Sequence, residues 1–287
     1  MILNPHMFKR VTIIGVGLMG GSLGMALKKK KIAREVIGVS QKHSTIAEAI
    51  KCKAIDRGFT DPVKAVKNAD LIVLAAPVET IVRLFPVISS HVKRSCIITD
   101  LGSAKAEIVD AAEKNLPNAN MFVGSHPMTG SDKRGISNAI EDLYENSYCI
   151  MTPTRDTNES VKNKIKNLWF KLGAKVKFLA PEEHDEILAY ISHLPHLVAY
   201  ALMETIPEKV LDYSSQGLKD TTRIAGSSPE LWNDICVANS KNLVKALDEF
   251  VRRLNALRQA IVQDDQKSLT EHFTVAKTKR DAIQPKK

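Results

Sequence analysis

The sequence lacks an apolar run long enough to cross a membrane as a helix, so it does not predict an integral membrane protein. Residues 1–10 contain no apolar core and no small-residue cleavage site, so we expect no secretory signal. The four cysteines are scattered and form no CxxC pair, which argues against a disulfide framework and against a zinc site. These absences predict a cytoplasmic protein with reduced thiols and no bound metal.

Aromatic residues are also scarce, at 5% of the chain. The formal net charge is +9, with lysine-rich runs at 28–31 and 277–287. Nucleic-acid-binding surfaces combine such charge with aromatic or motif-bearing elements, and none accompanies these runs. We therefore expect no nucleic-acid partner and no membrane partner. A modest positive field instead favours small anionic ligands.

The 287 residues, 44% of them hydrophobic, suffice for one large domain or two modest ones. In the first part, short β-rich runs alternate with amphipathic helical stretches, which predicts an α/β fold with a Rossmann-type, doubly wound parallel sheet. From residue 182 onward the apolar spacing is almost wholly helical. We predict an α/β domain over residues 1–179 and an all-α domain over 180–287. The predicted strands are 11–14, 36–39, 71–75, 96–100, 121–123, 148–151 and 175–179.

A glycine-rich segment, GVGLMG, stands between the first predicted strand and a helical stretch. In this setting a GxGxxG pattern is typical of dinucleotide-binding loops. Its first glycine permits the tight turn, the second lets the backbone approach a pyrophosphate, and the third lets helix and strand pack closely. The helix N-terminus then faces the phosphates. We assign Gly15, Gly17, Leu18, Met19 and Gly20 to cofactor binding.

Ligands of open α/β sheets bind beyond the carboxyl ends of the strands, and this rule selects further residues. Ala76 and Pro77 follow the 71–75 run and are assigned to the cofactor site. Ser103 and His126 follow the next two runs, and both are predicted to be catalytic. His126 is expected at a strand end near the nicotinamide, where its imidazole can act as an acid or base near neutral pH; the alternative is a loop histidine with local hydrogen bonds. Ser103 can orient the imidazole or a substrate hydroxyl, or cap the helix predicted at 105–115.

The helical part contributes a second set of candidates. In the segment SHLPH, His193 and His196 can lie on one helix face, as core residues, as cleft residues or as metal ligands, although no further metal ligand is apparent. Pro195 is expected to kink that helix. Arg223 is a candidate clamp for a substrate carboxylate, because guanidinium binds carboxylate in a bidentate fork. The alternative is a salt bridge from Arg223 to Asp220.

The cofactor preference depends on the end of the second predicted strand, where NAD-specific folds place an acidic residue that binds the ribose 2′-hydroxyl. Here the strand is followed by Ser40, Gln41, Lys42 and His43, and no acid is present to repel a 2′-phosphate. We assign Ser40, Gln41 and Lys42 to cofactor binding. This pattern favours NADP and leaves NAD possible.

Together these segments resemble the prephenate/arogenate dehydrogenase family of tyrosine biosynthesis, in its short, monofunctional form. The resemblance covers nearly the whole chain, and its segments occur in the same order as in the family. It rests on IIGVGLMGGSLGMALK (13–28), DLGSAK (100–105), GSHPMTGSD (124–132), SHLPH (192–196) and KDTTRIAGSSPELW (219–232).

The resemblance implies oxidation of a cyclohexadienyl substrate, either prephenate or arogenate. Hydride passes from the hydroxyl-bearing ring carbon to nicotinamide, carbon dioxide leaves the opposite carbon, and the ring becomes aromatic. By resemblance His126 accepts the hydroxyl proton and Ser103 positions it. The substrate-binding residues implied are Arg223, His196, Ser131, Lys219 and Asp220. The family often has Thr-Glu where this chain has Ser131 and Asp132, which leaves a direct role of Asp132 in doubt.

The resemblance also implies a homodimer joined through the helical domains. The apolar composition of 187–203 agrees, because apolar residues occupy most faces of that segment, as in a buried helix. Pairing with a second copy would bury such a surface. We expect an obligate homodimer with an interface well above about 2,000 Å².

Two other classes of protein are possible. One is another NAD(P)-dependent dehydrogenase of this architecture, of the β-hydroxyacid dehydrogenase type, which requires a catalytic lysine in its helical domain and does not explain Ser-His-Pro at 125–127. The other is a non-catalytic NAD(P)-binding sensor, which does not require Ser103, His126 and Arg223 together.

Overall fold

The computed structural model describes residues 6–130 and 133–283. Within these ranges eight strands form one sheet in the order β3-β2-β1-β4-β5-β6-β7-β8. The strands are β1 (Phe8–Ile14), β2 (Ala33–Val39), β3 (Arg57–Phe59), β4 (Leu71–Leu74), β5 (Ile97–Asp100), β6 (Phe122–Pro127), β7 (Tyr148–Thr152) and β8 (Lys175–Phe178). The predicted α/β class is therefore confirmed.

Strand direction differs from the prediction at one edge of the sheet. The first six strands pair in parallel, but β7 pairs antiparallel to β6, with His126 opposite Ile150, and β8 is parallel to β7. A parallel neighbour needs a crossover connection, usually a helix. The described part of the connection from β6 to β7 contains only a short 3₁₀ turn, Ile136–Asn138. The chain therefore returns beside β6 in the opposite direction.

One strand was missed and several strand boundaries differ from the prediction: β1 and β2 each begin three residues earlier, and β6 ends later. β3 was missed, because a three-residue edge strand is too short to show a hydrophobic period. β6 continues past the predicted end at residue 123, so His126 lies within the strand and not beyond its end. Gly124 and Pro127 disfavour strand interiors, which explains the early predicted end. Pro127 is the last residue of β6, where a missing N–H is tolerated.

Seven helices of the α/β region and its continuation are α1 (Leu18–Lys29), α2 (His43–Lys51), α3 (Pro62–Val66), α4 (Val78–Ile88), α5 (Ala106–Asn115), α6 (Glu159–Leu172) and α7 (Pro181–Leu188). Local sequence explains both ends of α6. The Asn158 side chain caps its first turn, and Gly173 ends it in the left-handed conformation with φ +91°. The predicted helix at 159–172 is confirmed.

The core lies on both faces of the sheet, as a doubly wound fold requires. Along β4 the side chains alternate, so Leu71 and Val73 join one buried cluster while Ile72 and Leu74 join the other. The first cluster packs under α1 and α6 and includes Trp169, and the second packs under α4 and α5. Helices on both faces leave only the carboxyl ends of the strands open to a ligand.

Residues 1–240 form one compact unit and residues 241–287 a second. The remaining helices are α8 (Leu194–Thr205), α9 (Gln216–Thr222), α10 (Pro229–Ala238), α11 (Ser240–Val262) and α12 (Gln266–Ile283). Between α11 and α12 the chain turns at Asp264, which has φ +51°. None of the helices in the described ranges has the length and apolarity of a membrane span.

The glycine-rich segment forms the turn from β1 into α1. Gly15 has φ +101°, and a side chain there would meet the carbonyl oxygen of Ala75 at the end of β4. A side chain at Gly20 would meet the carbonyl oxygen of Gly15. Around Gly17, in contrast, nothing lies within 4 Å of where a Cβ would stand. Gly15 and Gly20 therefore serve the turn itself, whereas Gly17 leaves space above the start of α1.

We predict that alanine substitution separates these two roles. Gly20→Ala overpacks rigid backbone and should lower the free energy of unfolding by about 1–3 kcal/mol. Gly17→Ala should leave that free energy nearly unchanged but weaken dinucleotide binding, because its methyl group enters the open space. Urea unfolding and dinucleotide titration of both variants test this. Equal loss of stability in the two variants would contradict the assignment.

Candidate active site

A cavity of about 780 Å³ opens at the carboxyl ends of β1, β4, β5 and β6. Its size falls in the range of small-molecule sites. One wall comes from the sheet side, and the opposite wall from α8, α10 and residues 223–228. The lining includes Gly17, Leu18, Met19, Ala76, Pro77, Ser103 and His126 on the sheet side, and His193, His196, Arg223 and Trp232 on the helical side. The strand-end rule therefore located this cavity correctly.

Some predicted site residues lie elsewhere. Gly15 and Gly20 support the turn and do not line the cavity. Ser40, Gln41 and Lys42 follow β2, apart from the lining residues, and Gln41 and Lys42 are exposed. Lys219 and Asp220 are exposed on α9 and are not among the lining residues either. Ser131 and Asp132 lie outside the described residues.

His126 is held by two residues that the sequence analysis did not identify. Its Nδ1 lies 2.8 Å from Nε2 of His184, and Nδ1 of His184 lies 2.8 Å from a carboxylate oxygen of Asp185. Both partners belong to α7. In the sequence, the proline and acidic residues of PEEHD are typical of a helix start. Only the presence of His184 could have indicated a role in the site.

This chain of contacts fixes the proton positions. A carboxylate only accepts, so His184 donates its Nδ1–H to Asp185. The neutral His184 then accepts at Nε2, and His126 must donate its Nδ1–H to it. Burial lowers the pKa of His184, which favours this neutral form. Nε2 of His126 is thereby left with its lone pair, the form that a general base requires.

Burial also holds the pKa of His126 well below its ordinary value, and unfavourable interactions with the neighbouring basic groups His184, Lys105 and His193 lower it further. The imidazole lines the cavity while its ring is mostly buried. His126 is therefore neutral at pH 7 and able to accept a proton from a group bound in the cavity.

Asp185 also caps α5. Its two carboxylate oxygens accept from the backbone N–H groups of Lys105 at 2.7 Å and Ala106 at 2.9 Å. The expectation that Ser103 caps this helix is wrong: α5 begins at Ala106, and Asp185 occupies its first donors. A carboxylate at a helix N-terminus is favoured by the helix dipole as well as by the hydrogen bonds. Ser103 remains on the cavity wall.

The helical wall is built around Trp232. His196 stacks on the indole with ring centroids 3.5 Å apart, and His193 approaches edge-on at 6.0 Å. Burial lowers the pKa of each histidine to about 4. His193 is 1% exposed, and its Nδ1 lies 3.1 Å from the side-chain nitrogen of Asn239. Within the described ranges no group of three or more His, Cys, Asp or Glu side chains is arranged to hold a metal ion.

Pro195, where the sequence predicts a kink, lies in the first turn of α8, directly after an irregular turn. The five residues Ala189–His193 form a π-helical turn between α7 and α8. Proline cannot donate the backbone hydrogen bond of a regular helix, and a wider turn accommodates that loss. The turn ends at His193, one of the residues that line the cavity.

Arg223 lines the cavity, and the proposed salt bridge to Asp220 is not formed. Asp220 instead accepts from the side chain of Gln216 at 2.8 Å. Arg223 has no ion-pair partner in residues 6–130 and 133–283. Its guanidinium charge contributes to the low pKa of His196. The cation is therefore available to an anionic ligand.

A second carboxylate joins the two walls. Asp234 on α10 accepts from the backbone N–H groups of Val78 at 2.6 Å and Glu79 at 2.9 Å, and so caps α4. This contact places α10, with Trp232, directly beside the turn that contains Ala76 and Pro77. The two walls therefore meet at a fixed edge of the cavity.

Comparison with known families identifies the chain. A family model described as "Prephenate dehydrogenase, nucleotide-binding domain" matches residues 23–178, and one described as "Prephenate dehydrogenase, dimerization domain" matches residues 180–275. The chain is 36% identical to prephenate dehydrogenase of Bacillus subtilis (strain 168) over 280 residues, which cover 95% of this chain and 76% of that protein. It is 32% identical to cyclohexadienyl dehydrogenase of Zymomonas mobilis, with 96% of each chain covered.

Solved structures agree with this assignment. The structure of prephenate dehydrogenase from Aquifex aeolicus in complex with hydroxyphenyl propionate and NAD+ matches with a TM-score of 0.89 and 34% identity, covering 96% of this chain and 98% of that one. Arogenate dehydrogenase from Synechocystis matches with a TM-score of 0.80 and 28% identity, covering 96% of this chain and all of that one, 100%. The fold, the cavity and the two family matches together show that this chain belongs to the prephenate dehydrogenase family.

Proposed function

We propose that this enzyme catalyses the NAD(P)-dependent oxidative decarboxylation of prephenate or arogenate in tyrosine biosynthesis. The observation that carries the proposal is His126, held by His184 and Asp185, in a cavity that also contains the glycine-rich loop and Arg223, which has no ion-pair partner among the described residues. The two rival classes are not favoured, because the family matches extend through both the sheet and the helical region.

The residues present fit a dinucleotide. The open space at Gly17 and the start of α1 give a pyrophosphate room and backbone donors. Gly17, Leu18, Met19, Ala76 and Pro77 would hold the cofactor along the sheet side of the cavity, above the turn that Gly15 and Gly20 make possible. A bound nicotinamide would supply the hydride acceptor.

His126 would accept the proton of the substrate hydroxyl at Nε2, while Ser103 orients that hydroxyl from the same side of the cavity. Arg223 would bind a substrate carboxylate, and His196 would support the ring from the Trp232 side. The protein would contribute to catalysis mainly by aligning the hydroxyl-bearing carbon and by holding the substrate carboxylates. Roles for Ser131, Lys219 and Asp220 in binding the substrate stay predictions from the resemblance.

The two segments of the chain would have different functions. Residues 1–179 would bind the dinucleotide, and residues 180–287 would bind the substrate and a second copy of the chain. The boundary between the two family matches near residue 179 supports this division.

A homodimer is supported by the apolar surface of the helical region. Several large apolar side chains there are exposed in the single chain, including those of Tyr190, Ile191 and Val237. Contiguous exposed apolar surface is typical of interfaces. The unpaired cysteines are also in keeping with a reducing cytoplasm, which we infer as the location.

We predict that His126→Asn leaves folding and dinucleotide binding nearly intact but lowers kcat by a factor of roughly 10²–10⁴, as for a lost acid–base group. Steady-state assays with prephenate and arogenate, followed at the absorbance of the reduced cofactor, measure this. The exposed His91→Asn is the matched control and should retain full activity.

The wild-type pH profile provides a further check on His126. Because its pKa lies below the ordinary value of 6.5, the neutral base persists below that pH. The acid limb of kcat/KM, which reports ionisations of the free enzyme, should therefore lie below pH 6.5. Near-normal turnover of His126→Asn would remove His126 from the mechanism.

We predict that Arg223→Ala mainly raises KM for the substrate. The loss of a charge-assisted hydrogen bond corresponds to about 1.5–3 kcal/mol. The exposed Arg83→Ala should leave KM unchanged. If Arg223→Ala keeps the wild-type KM while its melting temperature falls, Arg223 is a structural residue.

We predict a preference for NADP over NAD, because residues 40–43 contain no acidic side chain. Ser40→Asp should reduce or reverse this preference by repelling the 2′-phosphate, whereas Ser40→Ala should retain most of it. The ratio of kcat/KM for the two cofactors measures the effect. A wild-type ratio clearly in favour of NAD would overturn this prediction.

A further inference from the structure

Ser125, the residue before His126, is bound through its backbone and its side chain. Its N–H donates to a carboxylate oxygen of Asp100 at 3.1 Å, and its carbonyl accepts from Nζ of Lys105 at 3.1 Å. Its hydroxyl lies 2.9 Å from the hydroxyl of Thr99 and accepts from the indole N–H of Trp169 at 3.2 Å. The backbone that carries His126 therefore has little freedom to shift.

Lys105 and Asp100 form an ion pair in which both side chains are completely buried. Asp100 also accepts from the backbone N–H of Gly102 at 2.8 Å. Lysine is almost never buried without a partner, and burying an ion pair is often no more stabilising than an apolar pair of the same volume. Stability alone therefore does not explain why a cation lies here.

Lys105 contacts the neighbours of His126 at both of its ends. Through its ammonium it binds the carbonyl of Ser125, and through its backbone N–H it binds Asp185. Asp185 binds His184, and His184 binds the ring of His126. These contacts form a closed ring from Lys105 to Asp185, His184, His126, Ser125 and back to Lys105. One residue thereby constrains both the backbone and the imidazole of His126.

The charge of Lys105 acts in the same direction. It disfavours a second positive charge on His126 and contributes to the low pKa of that imidazole. The other titratable groups packed around His126 include His184, Asp185, His193 and, on β7, Cys149, with Asp100 as the partner of Lys105. The pKa values of His184 and His193 are themselves lowered, so the positive charge of this group is the ammonium that Lys105 places in its ion pair with Asp100.

We propose that Lys105 is a positioning residue that fixes the orientation of His126 and keeps it in its base form. This inference rests on the proposed role of His126. It assigns to the buried Lys105–Asp100 pair a function in proton transfer and not in folding alone.

The test uses two variants and a control. Lys105→Met removes the charge and the contact to Ser125, and Lys105→Met/Asp100→Asn removes the ion pair as a neutral whole, so that no unpaired charge stays buried. The control is Lys114→Met, which removes an exposed lysine that pairs with Asp110 on the same helix.

We expect kcat to fall by about 10- to 100-fold in Lys105→Met, as for a small misplacement of a reacting group, while KM stays within about threefold of wild type. The acid limb of kcat/KM should move to higher pH, because the loss of a nearby cation raises the pKa of His126 in the free enzyme. In the double variant the fall in kcat and the shift of the acid limb should both persist, and the pH shift should be smaller than in Lys105→Met. Lys114→Met should match wild type.

A direct readout is the titration of His126 by ¹H–¹⁵N NMR on the intact protein, with its signal assigned by its absence in His126→Asn. The titration midpoint should rise in each Lys105 variant that folds. A folded variant with wild-type kcat, or with an unshifted His126 midpoint, would overturn the proposal. Failure of both variants to fold would also overturn it, because the pair would then serve the fold.

The variants distinguish the proposed role of His126 from the proposed role of Lys105. If His126→Asn retains turnover, the proposed role of His126 fails and this inference fails with it. If His126→Asn loses turnover while the folded Lys105 variants behave as wild type, only the inference about Lys105 fails.

Discussion

The carboxylate of Asp185 is the contact on which the arrangement of the site depends. It accepts from the first two N–H groups of α5 and from the ring of His184. A helix N-terminus has unsatisfied donors and a partial positive charge, so a carboxylate there is held in both position and ionisation. Because Asp185 belongs to α7, the same contact fixes the first helix of the helical segment against the carboxyl edge of the sheet.

Asp234 makes the same kind of contact with the N-terminal N–H groups of the neighbouring helix α4. Two carboxylates from the helical segment thus occupy two helix N-termini that border the cavity. One brings His184 to His126, and the other brings Trp232 to the turn at Ala76 and Pro77. The cavity walls are therefore joined by charge-assisted hydrogen bonds to backbone, which are directional as well as strong.

The electrostatics of the cavity follow from burial. His126, His184, His193 and His196 all have pKa values below the ordinary value, chiefly because desolvation disfavours their charged forms. Arg223 places a positive charge on the helical wall, with Lys133 and Arg134 also in the cavity lining, and Lys105 places one behind His126. A carboxylated substrate is thereby attracted to one side of the cavity while the imidazole on the other side stays basic.

The sequence by itself determined the alternation of strands and helices, the glycine loop and the candidates His126 and Arg223, because these depend on local periods and on the strand-end rule. It missed the reversed direction of β7, since strand direction depends on how a connection runs in space. Only the tertiary structure brought His184 to His126, across 58 residues, and Asp185 to Lys105, across 80. Those contacts join elements distant along the chain, and no local pattern of PEEHD or DLGSAK contains them.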